Sequence, residues 1–172
     1  SAGSLAATSF GDVRGWVTGG FHRPASGMLI SLAGQSEEGW RQNADYLLGN
    51  GVLRGWRSVG AGRLEGGLYL YGSDWNSPGF VSVDRYNQGD LEAATDTTDG
   101  GDGQRYIGTL RYGLPLGPKT TLDAQLWGQL AQSTVFLTLP EDDVLRQTAE
   151  RDDREALGFQ ALLNRATDDG EF

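Results

Sequence analysis

The side chains best suited to chemistry are few, and their spacing argues against catalysis. His22 is the single histidine and cysteine is absent. Thiolate nucleophiles, thiolate metal sites and disulfides are therefore excluded, and a zinc site around His22 would need several carboxylates at a spacing the sequence does not show. A serine triad would also depend on His22, and no Gly-x-Ser-x-Gly elbow is present. No catalytic residue, metal or cofactor is expected. His22 reads instead as a residue at the end of a strand.

Asp96, Asp99 and Asp102 stand three apart in a loop rich in Gly and Thr, and carboxylates of this kind can gather around calcium. Their spacing fails the EF-hand pattern, and Asp99-Gly100-Gly101-Asp102-Gly103 fails the calcium β-roll repeat, so a solvated acidic loop is the preferred reading. The best ligand-contact set is Asp74, Trp75, Phe80, Arg85 and Tyr86, in the long polar segment from Gly72 to Gly103. Aromatic faces stack on flat ligands or sugar rings while nearby charges orient polar groups. The competing reading makes Trp75-Asn76-Ser77-Pro78-Gly79 a structural turn and Trp75 an interface aromatic.

The elements that position these residues are β-strands. On either side of Pro115-Leu116-Gly117-Pro118-Lys119, two runs alternate strictly. Tyr106, Gly108, Leu110, Tyr112 and Leu114 fall on one face of the first, Arg105, Thr109 and Arg111 on the other. Leu122, Ala124, Leu126, Gly128 and Leu130 oppose Thr121, Asp123, Gln125 and Gln129 in the second. A period of two means extended chain with one apolar and one wet face. Runs of roughly ten residues suit tilted strands crossing a hydrocarbon layer, which take about 9–11.

Seven strands are expected in all, from Gly11 to His22, Met28 to Gln35, Tyr46 to Arg57, Arg63 to Tyr71, the two runs just described, and Arg154 to Arg165. Glycines at 49, 51 and 55 dilute the third. Short turns at Arg23 to Gly27, Ser58 to Gly62 and Pro115 to Lys119 take turns with long polar segments at Ser36 to Asp45, Gly72 to Gly103 and Gln132 to Asp153. In an antiparallel up-and-down meander, that order puts short turns at one rim and long loops at the other, as in outer-membrane barrels. Within the last segment, Glu141, Asp142 and Asp143 would suit the N-terminus of a short helix over Pro140 to Asp153; a solvated acidic loop fits equally well. Arg14, Glu65, Arg105, Arg111, Asp123 and Gln125 should share the wet face, lining a lumen or forming cross-strand polar ladders worth about 0.2–1 kcal/mol per contact.

Composition bounds the class. The 172 residues are 38% hydrophobic with 27 glycines, and mean hydropathy is −0.42. No stretch approaches the roughly 18 apolar residues of a membrane helix, whereas a β-barrel, with half of each strand facing water, remains allowed. A net charge of −9 and a pI near 4.5 oppose a nucleic-acid partner. The chain starts at Ser1 without initiator Met or leader-like segment, so the expectation is a removed leader or a start inside a longer protein.

Two segments carry a resemblance. Glu38-Gly39-Trp40-Arg41-Gln42-Asn43-Ala44-Asp45-Tyr46 and Tyr71-Gly72-Ser73-Asp74-Trp75-Asn76-Ser77-Pro78-Gly79-Phe80 resemble the early barrel of TonB-dependent outer-membrane receptors. Ala44 stands where that family often has Ser. Strand order, turn placement and these loops extend the likeness over most of residues 9 to 165. The resemblance implies a segment of a transmembrane β-barrel of about twenty-two strands whose plug and remaining strands lie outside this chain. Residues 1 to 172 would then be one partial barrel domain, with Ser1 to Phe10 left from the first extracellular loop and Phe172 a truncation point.

The resemblance further implies a Gram-negative outer membrane as location and outer-membrane lipid and, through the missing plug, the TonB complex as partners. The solute would be a scarce small molecule or oligosaccharide, of the ferric siderophore, cobalamin-like or oligosaccharide kind. The rival reading from the residues is a soluble or surface-exposed β-rich binding module. A third is a complete eight-stranded barrel, acting as a membrane structural protein or esterase, which would need closure and a proper final strand.

Overall fold

The structure is a computed structural model that describes residues 1–8, 11–94, 96–141 and 144–166, with 140 and 141 described by backbone alone. Eight antiparallel strands follow one another in a single sheet: β1 (Ala2–Ala7), β2 (Val13–Arg23), β3 (Ser26–Glu37), β4 (Tyr46–Val59), β5 (Gly62–Asn76), β6 (Gly100–Gly117), β7 (Thr120–Glu141) and β8 (Val144–Arg165). Each strand pairs with the next in sequence. The chain is thus an all-β meander, with β1 and β8 at the two ends of the strand order.

The register converts the alternation of single strands into two continuous faces. Phe21, Met28, Gly55, Gly66, Leu110, Leu126 and Phe159 stand directly opposite one another in one cross-strand row. The next row runs Gly19, Ile30, Leu53, Leu68, Gly108, Gly128 and Leu157. A slip of one residue in any pair would turn that strand's leucines onto the charged face, so one register is strongly favoured. Tight turns secure it at 24–25, 60–61 and 118–119, where Gly60 takes φ +60°, a left-handed conformation that glycine adopts freely.

Among the described residues no second layer covers the apolar face. Among the described residues the only buried apolar side chains are Ala93 and Ala94, in a loop, while Leu157 is 79% and Phe159 71% exposed. The opposite face carries Arg14, Glu65, Arg105, Arg111, Asp123 and Gln125, all six on the same side of the sheet by register. Three tryptophans on this face lie over glycines of the neighbouring strand. A Cβ on Gly27 would meet Trp56 at 2.4 Å, one on Gly101 would meet Trp75 at 2.7 Å, and one on Gly158 would meet Trp127 at 2.3 Å. Each ring fills the space its glycine leaves open and ties two strands together.

Several expectations are corrected. Residues 2–7, assigned to a loop remnant, form β1, because Leu5 and its small neighbours find a ladder along Val13–Thr18. β4 extends to Val59, and of its glycines Gly51 is covered by Leu32 of β3 and Leu70 of β5. Within the segment 132–153, the described part is neither long loop nor helix. It is the upper half of a β7–β8 hairpin, paired through Phe136↔Ala149, Leu137↔Thr148 and Leu139↔Arg146, and β-branched Thr134, Val135 and Thr138 favour that extended form. Asp142 and Asp143, proposed for a helix start, lie outside the described residues, as does Phe172. The long-loop rim therefore holds two extended loops, 38–45 and 77–99, beside the β1–β2 connection and the narrow β7–β8 hairpin. Among the described residues the single helix, α1 (Val83–Asn87), sits in the second loop on a Ser82 cap, and no helix is long and apolar enough to cross a membrane.

Candidate functional site

At the long-loop rim, loops 38–45 and 77–99 are fastened together by polar side chains of the first. The Arg41 guanidinium donates to the carbonyls of Gly79 (2.9 Å), Ala93 (2.8 Å) and Pro78 (3.4 Å). Asn43, held at φ +58°, donates its amide to the carbonyls of Asp99 (2.7 Å), Ser77 (2.9 Å) and Asp96 (3.2 Å). Asp45 closes the base of the pair, its carboxylate accepting from the Asn76 amide at 2.9 and 3.0 Å. A cationic fork over carbonyls satisfies loop backbone groups that would otherwise face inward unpaired. Arg41 is thus committed to the loop.

The acidic residues of the loop divide by role. Asp99 is only 2% exposed. Where the β6 ladder ends at Gly100↔Phe136, its carboxylate accepts from the Thr138 backbone N–H (2.9 Å), the Thr138 hydroxyl (2.7 Å) and the Gln147 amide (3.1 Å). The loop is thereby pinned to the β7–β8 hairpin. Solvated describes Asp99 wrongly: its side chain is buried and its oxygens are met by donors. Asp102 lies instead in β6, opposite Asp74 and Thr134. Among the described residues no three His, Asp or Glu side chains are grouped to hold a metal ion.

Asp96 makes the complementary contact. Its carboxylate accepts from the Thr98 hydroxyl at 2.7 Å and the Thr98 N–H at 2.8 Å, and these bonds, the hydroxyl first, hold its pKa below the ordinary aspartate value. The unfolded value is about 3.9. A folded pKa below it means that the stabilisation is complete above the unfolded pKa and is lost as pH falls through the folded one. Hydrogen exchange in 77–99 is expected to be flat from about pH 7 to 5 after correction for intrinsic rates and to lose protection below about pH 4, and Asp96→Asn should remove that acid limb.

The five proposed contact residues are separated by the fold. Asp74 and Trp75 are strand residues of β5, not loop residues, and consecutive strand positions point to opposite faces. Trp75 packs over Gly101, the reason it belongs to the sheet. Phe80, Arg85 and Tyr86 do lie in loop 77–99. Arg85 pairs with Asp90 at 3.5 Å, while Tyr86 is 66% exposed and Trp40, on the companion loop, 69%. Trp40 escaped the sequence reading of contacts, as did Arg41 and Asn43, although all three fall inside the loop motif noted there. The exposed aromatics of this rim, Trp40, Phe80 and Tyr86, are the surface best suited to stack on a flat ligand.

Below the rim, the polar face gathers four of the six predicted wet-face residues near the short turns. Glu65, Arg111 and Gln125 share one row. Arg111 meets Asp123 at 2.7 Å, Arg63 meets Glu65 at 2.8 Å, and the Arg63 guanidinium stacks 4.1 Å over Trp56. His22 lies against the same tryptophan, ring centres 5.4 Å apart. His22, Arg54, Trp56, Arg63, Glu65, Arg111 and Gln125 surround a polar hollow of about 550 Å³, with Asp123 outside it. Arg105 sits higher on the same face beside Tyr71 and Arg154, and Arg14 lies towards the β1 edge beside Ala6 and Gln35. Exposed ion pairs of this kind contribute about 0–1 kcal/mol each, so the face is a wet, charged wall without a preorganised reaction centre. Comparison with protein-family models, curated proteins and solved structures finds no match for this chain.

Proposed function

We propose that this chain is barrel wall from a TonB-energised receptor of a Gram-negative outer membrane, one that takes up a scarce siderophore, cobalamin-like compound or oligosaccharide. One observation carries the reading: the eight consecutive strands present a broad apolar face, interrupted at β8 by Glu155, that nothing among the described residues covers, backed by a charged face. A water-soluble sheet of this width would bury those leucines under a second layer. Acyl chains provide that cover in a bilayer, and the ladder leaves the spanning backbone hydrogen-bonded without water. Loops 38–45 and 77–99 then face the exterior with Trp40, Phe80 and Tyr86 as solute contacts, and Glu65, Arg105, Arg111, Asp123 and Gln125 line the lumen. Asp74 and Trp75 shape the mouth from β5, and Arg14 lines the wall beside β1. The segment itself performs no catalysis and requires no cofactor.

Disrupting the gene should abolish uptake of one scarce solute supplied at limiting concentration, and the loss should match that caused by removing TonB. Full uptake of every solute in the panel by the disrupted strain, with the protein recovered in the aqueous fraction, would favour a soluble binding module instead.

A further inference from the structure

We infer that the apolar face holds a specific phospholipid site: a glycine-floored trench for one acyl chain, ending at an arginine pair that takes the headgroup phosphate. This inference rests on the membrane reading above.

The trench is built by missing side chains. Gly55 and Gly66 are direct neighbours on β4 and β5, and Gly108 and Gly128 are neighbours one row further up on β6 and β7. Around them Leu53, Leu68, Leu110, Leu126 and Leu157 stand up from the sheet, enclosing about 720 Å³ of open apolar space. A second hollow of about 580 Å³ shares Leu68, Gly108, Gly128 and Leu157 and continues towards Tyr106 and Leu130, with Glu155 at its β8 side. From the Arg57 row to the Tyr106 row is six residues, or about 20 Å of strand. That exceeds the ~15 Å depth of one leaflet's hydrocarbon.

Nothing in the backbone demands these glycines. A Cβ would sit 3.5 Å from its nearest neighbour at Gly55, 3.8 Å at Gly66, and 3.7 Å at Gly108 and Gly128, all ordinary contact distances, and none of the four has a left-handed φ. The contrast is with Gly27, Gly101 and Gly158 on the wet face, whose space is already filled by tryptophan. Glycine inside a strand weakens the strand unless something approaches closely there. On the apolar face that approach comes from outside the chain.

The lower end of the trench supplies the charge. Arg23, Ser26 and Arg57 occupy one cross-strand row on the apolar face, immediately below Phe21, Met28 and Gly55. Arg57 and Ser26 line the trench itself, and Arg23 is laid over the Phe21 ring at 5.4 Å. The two arginines flank Ser26 one strand to either side, so their Cα atoms stand about 10 Å apart, a span two long side chains close onto a phosphate. Among the described residues no carboxylate forms an ion pair with Arg23 or Arg57. Tyr112 marks the same level, its hydroxyl on the Val59 carbonyl at 3.0 Å, as an aromatic does at a membrane interface. An anionic phospholipid matches the arginine pair and the apolar trench together, since a guanidinium binds a phosphate through paired hydrogen bonds.

The test uses the intact protein that carries this chain, folded into phosphatidylcholine vesicles containing a minor fraction of photoactivatable phospholipid with a diazirine in its acyl chain. Adducts are mapped by peptide mass spectrometry. With the phosphatidylglycerol probe, adducts should concentrate on β4–β7 about fivefold over the phosphatidylcholine probe, the enrichment expected of an arginine at a headgroup. Arg57→Gln should level the two probes, Arg57→Lys should restore most of the difference, and Gly108→Leu should remove trench adducts while those on Val17 and Leu32 persist. Adducts spread evenly over the apolar face with both probes would overturn the site and leave the membrane reading standing. Trench protection in the parent protein, with adducts elsewhere on the face, would show a second copy there and overturn it too. No adducts anywhere on the apolar face would overturn both.

Discussion

Leu126→Arg is expected to cost about 2–4 kcal/mol of folding free energy in the bilayer-embedded protein. Leu126 stands between Leu110 and Phe159 in the centre of the apolar face, with Ala124 and Leu122 below it and Gly128 and Leu130 above it on the same strand. A guanidinium there has no water within reach and must snorkel past two rows in either direction. Gln125→Arg, one position away on the wet face beside Arg111, is the control, and a change within about 0.5 kcal/mol is expected for it. Urea titration of the protein refolding into vesicles measures both. Equal small effects at 125 and 126 would count against lipid contact at Leu126.

Asp99→Ala should release loop 77–99 from the hairpin, lowering its local stability by about 2–3 kcal/mol. The substitution strands the Thr138 N–H, on a residue only 6% exposed, and frees the Thr138 hydroxyl and Gln147 amide as well. Donors left buried without an acceptor cost more than the net value of the bonds they made. Hydrogen exchange over 77–99 should accelerate about 30-fold or more, while amides of β4 and β5 keep their protection, since the Asn43 and Arg41 contacts join loop to loop and not loop to sheet core. Unchanged exchange in the loop would mean that Asp99 does not pin it. Unfolding of the whole sheet would mean that the loop and the sheet form one cooperative unit.

The sheet was legible in the sequence wherever one face is apolar and the other polar. Tyr106 to Leu114 and Leu122 to Leu130 alternate because their two sides face different surroundings, and that contrast alone assigns Arg111, Asp123 and Gln125 to the wet face. The contrast fades above the apolar band. Arg146, Gln147, Glu150, Arg151 and Asp152 are polar on both sides of β8, so nothing in their order separates strand from acidic loop. Pairing with β7 decides it, and Leu137↔Thr148 is invisible until the partner is known. The small residues of β1 carry as little pattern and owe their form to β2. The clasp was hidden for another reason: Arg41 reaches carbonyls 37 to 52 residues away in sequence, and no local spacing encodes such a contact. Trp75 was misplaced because a loop aromatic and a strand aromatic look alike until Gly101 is found beneath the ring.

The central claim is that the leucine face meets lipid and the charged face meets water. The cysteine-free sequence permits a direct measurement: single cysteines from residue 105 to 112 and from 123 to 130, spin-labelled in the vesicle-embedded protein, and tested for relaxation by oxygen and by a water-soluble nickel chelate. Lipid-dissolved oxygen should dominate at 106, 108, 110, 112, 124, 126, 128 and 130 and the chelate at the intervening positions, with a period of two. Chelate access to Leu110 and Leu126 equal to that at Thr109 and Gln125, or exclusion of both reagents from the leucines by a second protein layer, would contradict the account.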